Sequence, residues 1–142
     1  MMEFRRLGRS GIKVSPLGLG TARMAGLGWH DELAPQDPAQ AQRDGVRLIQ
    51  AAVDLGVTFF DTADNYGQGF SERSLGEALR GRREGIVVAT KFGEDPMPDQ
   101  EDPWSLDASS VERKCEASLR RLGVECIDLY LLHRRDYPLE RA

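Results

Sequence analysis

Short apolar runs of strand length alternate along this chain with longer stretches in which apolar residues recur at helical spacing. The opening departs from that rhythm. Glu3–Leu7 and Ile12–Ser15 are two short extended stretches around Arg9-Ser10-Gly11, which predicts a small β-hairpin with Gly11 in its turn. Pro16 breaks the chain before Leu17–Thr21, a short strand candidate. Asp37 then predicts a helix N-cap and Pro38 the first helical position. Val46, Ile49 and Val53 share one face of that helix, and Gly56 ends it. Val57–Phe60 follows at once, β-branched and aromatic, as a buried strand requires.

The same unit then recurs. Ser71 predicts a cap for a helix bearing Leu75 and Leu79, with Glu72 at its positive end. Ile86–Thr90 is the next apolar strand. A polar stretch, Gly93–Leu106, leads to Asp107, which predicts the cap of a helix carrying Val111, Cys115, Leu119 and Leu122 and closed by Gly123. Ile127–Leu132 is the last strand. Alternating β and α elements with apolar strands imply a parallel sheet covered by helices. Successive strands start roughly 30 to 40 residues apart, the unit size of a (β/α) TIM barrel, here its first four βα units behind a hairpin. A Rossmann sheet is the alternative, and periodicity does not separate the two.

Composition narrows the class. The chain has 142 residues, 40% hydrophobic and 30% charged, with a formal net charge of −4, as expected of a soluble globular domain. No Lys/Arg block suggests nucleic acid or a membrane surface, and no apolar run approaches the roughly 20 residues of a membrane span. The N-terminus lacks an apolar signal core, so the expected location is the cytoplasm. Cys115 and Cys126 form no CxxC pair and read as buried small hydrophobes, not a disulfide.

Each of the last three strands runs into an ionisable residue: Asp61 after Phe60, Lys91 after Thr90, His133 after Leu132. One such residue is ordinary where a strand reaches solvent. Three chemical types at three consecutive strand ends suggest a site, because active sites of parallel α/β folds lie at the carboxyl ends of strands. Asp61, Asp64 and His133 make a poor metal ligand set. Gly18 and Gly20 echo a dinucleotide fingerprint, but Arg23 stands where its third glycine belongs. Trp29, His30 and Trp104 fall in loops after strands, where side chains of a substrate pocket are found.

VTFFDTADNYG (residues 57–67), followed by Ser71-Glu72 and LGEAL, then VVATKFG and LRRLGVECIDLYLLH, resembles the signature blocks of the aldo-keto reductase family in order and spacing. The resemblance runs from Arg6-Leu7-Gly8 to about Pro138. It implies an oxidoreductase that reduces aldehydes or ketones by hydride transfer from NADP(H), with NAD(H) the alternative. It also implies the catalytic set Asp61, Tyr66, Lys91 and His133, with Gly20, Thr21 and Asp61 near the cofactor. Tyr66 would be the general acid. A free phenol holds its proton too tightly for efficient exchange near neutrality, and the Lys91 ammonium would favour the phenolate. Asp61 would hold Lys91, and His133 would orient the substrate carbonyl.

A complete TIM barrel needs about 250 residues, so these 142 are expected to form the N-terminal portion of one barrel domain, without its second half. The two edges of such a half-barrel are expected to favour self-association. The competing reading is a non-catalytic binding or assembly module on the same scaffold.

Overall fold

The computed structural model describes residues 3–24, 37–93 and 106–133. Two short strands, β1 (Arg5–Arg6) and β2 (Lys13–Val14), pair antiparallel as the predicted hairpin. Four further strands, β3 (Leu19–Gly20), β4 (Phe59–Asp61), β5 (Val87–Phe92) and β6 (Leu129–Leu132), pair in parallel in the order β3-β4-β5-β6. Among the described residues three helices lie between them: α1 (Pro38–Asp54), α2 (Phe70–Ala78) and α3 (Ala108–Leu122). The strand order settles the alternative left open by periodicity. A Rossmann sheet reverses direction at its first strand, whereas here each new strand is added on the same side, as in a barrel.

The sheet and helices share one apolar core of Ile49, Phe60, Leu75, Ala78, Leu79, Ile86, Val88 and Leu122. Asp37 caps α1 by accepting from Gln40 N–H at 2.9 Å, and Asp107 caps α3 by accepting from Ser110 N–H at 2.8 Å, both as expected. Gly123 closes α3 in the left-handed conformation.

Several expectations need correction. Helix α2 starts at Phe70, with Gly69 as its N-cap. Ser71 is buried inside the first turn, where its hydroxyl donates to Thr21 O at 2.7 Å, tying α2 to the end of β3 instead of capping. Leu17, expected in a strand, is exposed, because only residues 19–20 reach the β4 ladder. The predicted apolar face of α3 is rotated. Of Val111, Cys115, Leu119 and Leu122, only Leu122 is fully buried, and the buried face is Ser110, Lys114, Ala117, Ser118 and Leu122. Small and polar residues line that face because it packs on α2 and β5, where an ion pair described below needs room. Both cysteines are free, and Cys126 is exposed, not buried.

Candidate active site

Strand parity brings the three ionisable strand ends together. Asp61 pairs with Ala89, so Lys91, two residues on, lies on the same face of the sheet as Asp61. Lys91 pairs with Leu131, and His133, two residues beyond that, again shares the face. The residues therefore step towards the carboxyl ends of the strands from β4 to β6, as a tilted sheet requires. His133 is fixed at its own end by donating its backbone N–H to Phe92 O at 2.9 Å.

Lys91 is the centre of the cluster. Its ammonium donates to Asp61 Oδ1 at 2.7 Å, Thr62 O at 2.8 Å and Tyr66 OH at 3.4 Å. Three N–H groups thus meet three oxygens. The Lys91 side chain is 15% exposed and that of Asp61 36%, so the pair sits at a rim, not in the core. The ammonium is also 5.0 Å from the centre of the Tyr66 ring. That ring meets the His133 ring edge-to-face, with centroids 5.6 Å apart and planes at 79°. All four predicted residues therefore lie in one cluster.

Tyr66 is delivered by a tight turn. Asp64 N–H donates to Lys91 O at 3.1 Å, fastening the turn to the end of β5. Gly67, Gln68 and Gly69 then have φ of 59°, 50° and 80°. Consecutive left-handed residues reverse the chain into α2. At Gly69 a side chain is disfavoured twice over, since its Cβ would also meet Arg121 Cδ at 2.5 Å unless that arginine shifted.

The expected cofactor residues are placed differently from one another. Gly20 lies at the exposed end of β3, and a Cβ there would meet nothing within 4 Å. Thr21 is fully buried, with its hydroxyl given to Asp61 O at 3.1 Å, so its side chain positions Asp61. Trp29, His30 and Trp104 lie outside the described residues. Among the described residues no cluster of three or more His, Cys, Asp or Glu could hold a metal ion. No helix among them is long and apolar enough to cross a membrane.

Sequence reading missed the charged layer beneath the cluster, between the sheet and helices α2 and α3. Glu72 is 0% exposed, accepts from Thr90 Oγ1 at 2.6 Å and receives Arg121 Nε at 2.5 Å. Asp64 is buried beside it. A signal was present: Glu72 falls three and seven residues before Leu75 and Leu79, on the apolar stripe of its helix.

Comparison with known proteins agrees with this geometry. Residues 16–141 match the aldo/keto reductase family. The Glycine max "Probable aldo-keto reductase 1" is 43% identical over 96% of this chain and 38% of its own length. An aldo-keto reductase from Bacillus halodurans, in its holo form, superposes with a TM-score of 0.77 at 33% identity, over 99% of this chain and 44% of its own. A Klebsiella pneumoniae aldo-keto reductase in complex with NADPH gives a TM-score of 0.70 at 34% identity, over 99% of this chain and 43% of its own. The chain thus spans less than half the length of these relatives. With its sheet order, its rim cluster and its sequence all in accord, this chain belongs to the aldo/keto reductase family.

Proposed function

We propose that these residues form the proton-transfer side of an NADP(H)-dependent reductase of aldehydes or ketones, within the N-terminal portion of one barrel domain. The observation that carries this reading is the contact of one ammonium, Lys91, with both the Tyr66 hydroxyl and the Asp61 carboxylate. A carbonyl accepting hydride at carbon needs a proton at oxygen. Tyr66 donates it, and the ammonium beside the hydroxyl stabilises the negative charge left on the phenol oxygen. Asp61 and Thr62 O hold the ammonium in place, so it meets that charge without having to reorganise. His133, edge-on to the Tyr66 ring, borders the space where the carbonyl oxygen must sit and fixes its direction.

Gly20 leaves the end of β3 open, and Asp61 at the neighbouring end of β4 is partly exposed, so a planar ring can approach both. Gly20 and Asp61 would border that ring, with Thr21 acting through its bond to Asp61. When bound, the nicotinamide supplies the hydride. NADP(H) is favoured over NAD(H) by the NADPH-bound Klebsiella relative.

The test is NADPH oxidation followed with a panel of aldehydes and ketones in a complete barrel carrying these residues and in its Tyr66→Phe variant. The substitution should lower the hydride-transfer rate by on the order of 10² to 10⁴ with little change in cofactor affinity. Full activity in Tyr66→Phe would assign the acid elsewhere.

A further inference from the structure

The turn that carries Tyr66 is anchored by a residue outside the proton-transfer set. Asp64 is 1% exposed, and its backbone N–H is bonded to Lys91 O. It sits midway between Thr62, whose carbonyl receives the Lys91 ammonium, and Tyr66, whose hydroxyl meets the same ammonium. Moving Asp64 therefore disturbs both sides of the Lys91–Tyr66 contact.

The Asp64 carboxyl is poorly provided for as an anion. Among the described residues its Oδ1 has no hydrogen-bond partner, although the Asn65 backbone N–H serves the carboxyl. Glu72 of α2 faces it with a second carboxylate. From α3, Arg121 and Lys114 face it with positive charge, but Arg121 is already bonded to Glu72 and Lys114 lies over the Phe92 ring at 5.9 Å. Tyr130 of β6 is also close enough to interact with it, and among the described residues the Tyr130 hydroxyl has no hydrogen-bond partner. Lys91 of β5 meets the backbone of Asp64 through its carbonyl. Ionising Asp64 would thus set a second negative charge beside Glu72 in a layer closed to water. Burial, and then Glu72, push its pKa up to about 7 against the pull of Arg121 and Lys114.

We propose that Asp64 is a proton-operated positioning residue: its neutral buried carboxyl seats the turn through residues 61–66, and ionisation loosens that turn and with it the Tyr66–Lys91 contact. The functional meaning rests on Tyr66 being the acid; the turn itself does not. The direction follows from linkage. In the seated turn Asp64 keeps its proton up to about 7, whereas a turn swung into water returns it to an ordinary value of 3.8. Between those limits opening releases a proton, so each pH unit favours opening about tenfold. Above about 7 both forms are ionised, and the dependence stops.

The readout is amide hydrogen exchange at Asp64 and Tyr66, whose N–H groups are bonded to Lys91 O and Ala63 O, corrected for the intrinsic pH dependence of exchange. Protection should fall about tenfold per pH unit between pH 5 and 7 and level off above. Asp64→Asn should abolish the slope. A slope that survives in Asp64→Asn overturns the proposal. So does a carbon-13 titration of the unaltered protein that puts the Asp64 carboxyl midpoint near 4, a measurement needing no variant. A fully active Tyr66→Phe protein would defeat the reductase mechanism and leave the exchange result standing. An inactive Tyr66→Phe protein with pH-independent exchange would defeat this proposal alone.

Discussion

Lys91 serves three oxygens with one ammonium, and each bond ties it to a different part of the site: the strand end at Asp61, the turn at Thr62 and the hydroxyl of Tyr66. Lys91→Met keeps the chain length and removes all three bonds. The hydride-transfer rate should drop by on the order of 10² to 10⁴, read by stopped-flow fluorescence. Stability should fall by about 1–3 kcal/mol in urea melts, because Thr62 O and Asp61 Oδ1 lose their donor. An unchanged rate would mean that the ammonium is not part of proton delivery. A second outcome concerns pH. Folded Asp64 keeps its proton up to about 7 against 3.8 unfolded, so the folded state binds more protons in that window and stability declines as pH rises through it. Asp64→Asn should remove the decline and leave the protein more stable than its parent above pH 7, by a few kcal/mol. Equal stability of the two at pH 8 would show that Asp64 is ionised at little cost. The clustered residues were legible because Asp61, Lys91 and His133 each follow an apolar run and Tyr66 falls within a recognisable motif. Asp64 was not, since in sequence it is only one more acid in a turn.

At the scale of elements, helices α2 and α3 are joined by a charge and by a glycine. Arg121 crosses from α3 to the fully buried Glu72 of α2. At Gly76 a Cβ would fall inside the radius of Leu122 O, so the two helix backbones touch where a side chain cannot fit. Such a pair is expensive to split, because one partner is left charged and dry. Glu72→Ala should cost about 3–5 kcal/mol, and a double cycle with Arg121→Met should recover part of it. Additive losses in that cycle would show that the two side chains are not coupled. This layer explains the rotated face of α3. Hydrophobic periodicity finds the stripe Val111, Cys115, Leu119, whereas the helix turns Lys114, Ala117 and Ser118 inward to accommodate Arg121 beside Glu72. A pattern that scores only apolar residues does not register a buried face made of serine, alanine and lysine. Caps fared better where a side-chain oxygen meets a free N–H, at Asp37 and Asp107, than at Ser71, whose hydroxyl is drawn to Thr21 O.

For the whole molecule, periodicity predicted parallel βα units but could not choose between a barrel and a Rossmann sheet, because strand order is set by which edges meet and not by any run of residues; the expected barrel rested on unit size and the family resemblance. The observed order leaves β3 and β6 at the two edges of the sheet, with no further strand beside either among the described residues. Leu131 and Leu132 of β6 are 42% and 40% exposed, and Leu17 beside β3 is 68% exposed. Closed barrels have no such edges, and an apolar parallel edge with free N–H and C=O groups recruits other chains. We therefore expect a polypeptide of these 142 residues alone to self-associate, through β6 in particular, where the exposed leucines adjoin unpaired backbone. Sedimentation velocity should show species larger than a monomer. Leu132→Lys should shift them towards monomer by putting a charge on that edge without touching the cluster around Lys91. The same polypeptide should reduce a test aldehyde poorly, since it spans 43–44% of the solved relatives and a cofactor held on one side loses positioning worth several kcal/mol of the barrier. A stable monomer that binds NADPH tightly and turns over the aldehyde would show that four strands suffice, and would move the origin of cofactor grip into this half of the barrel.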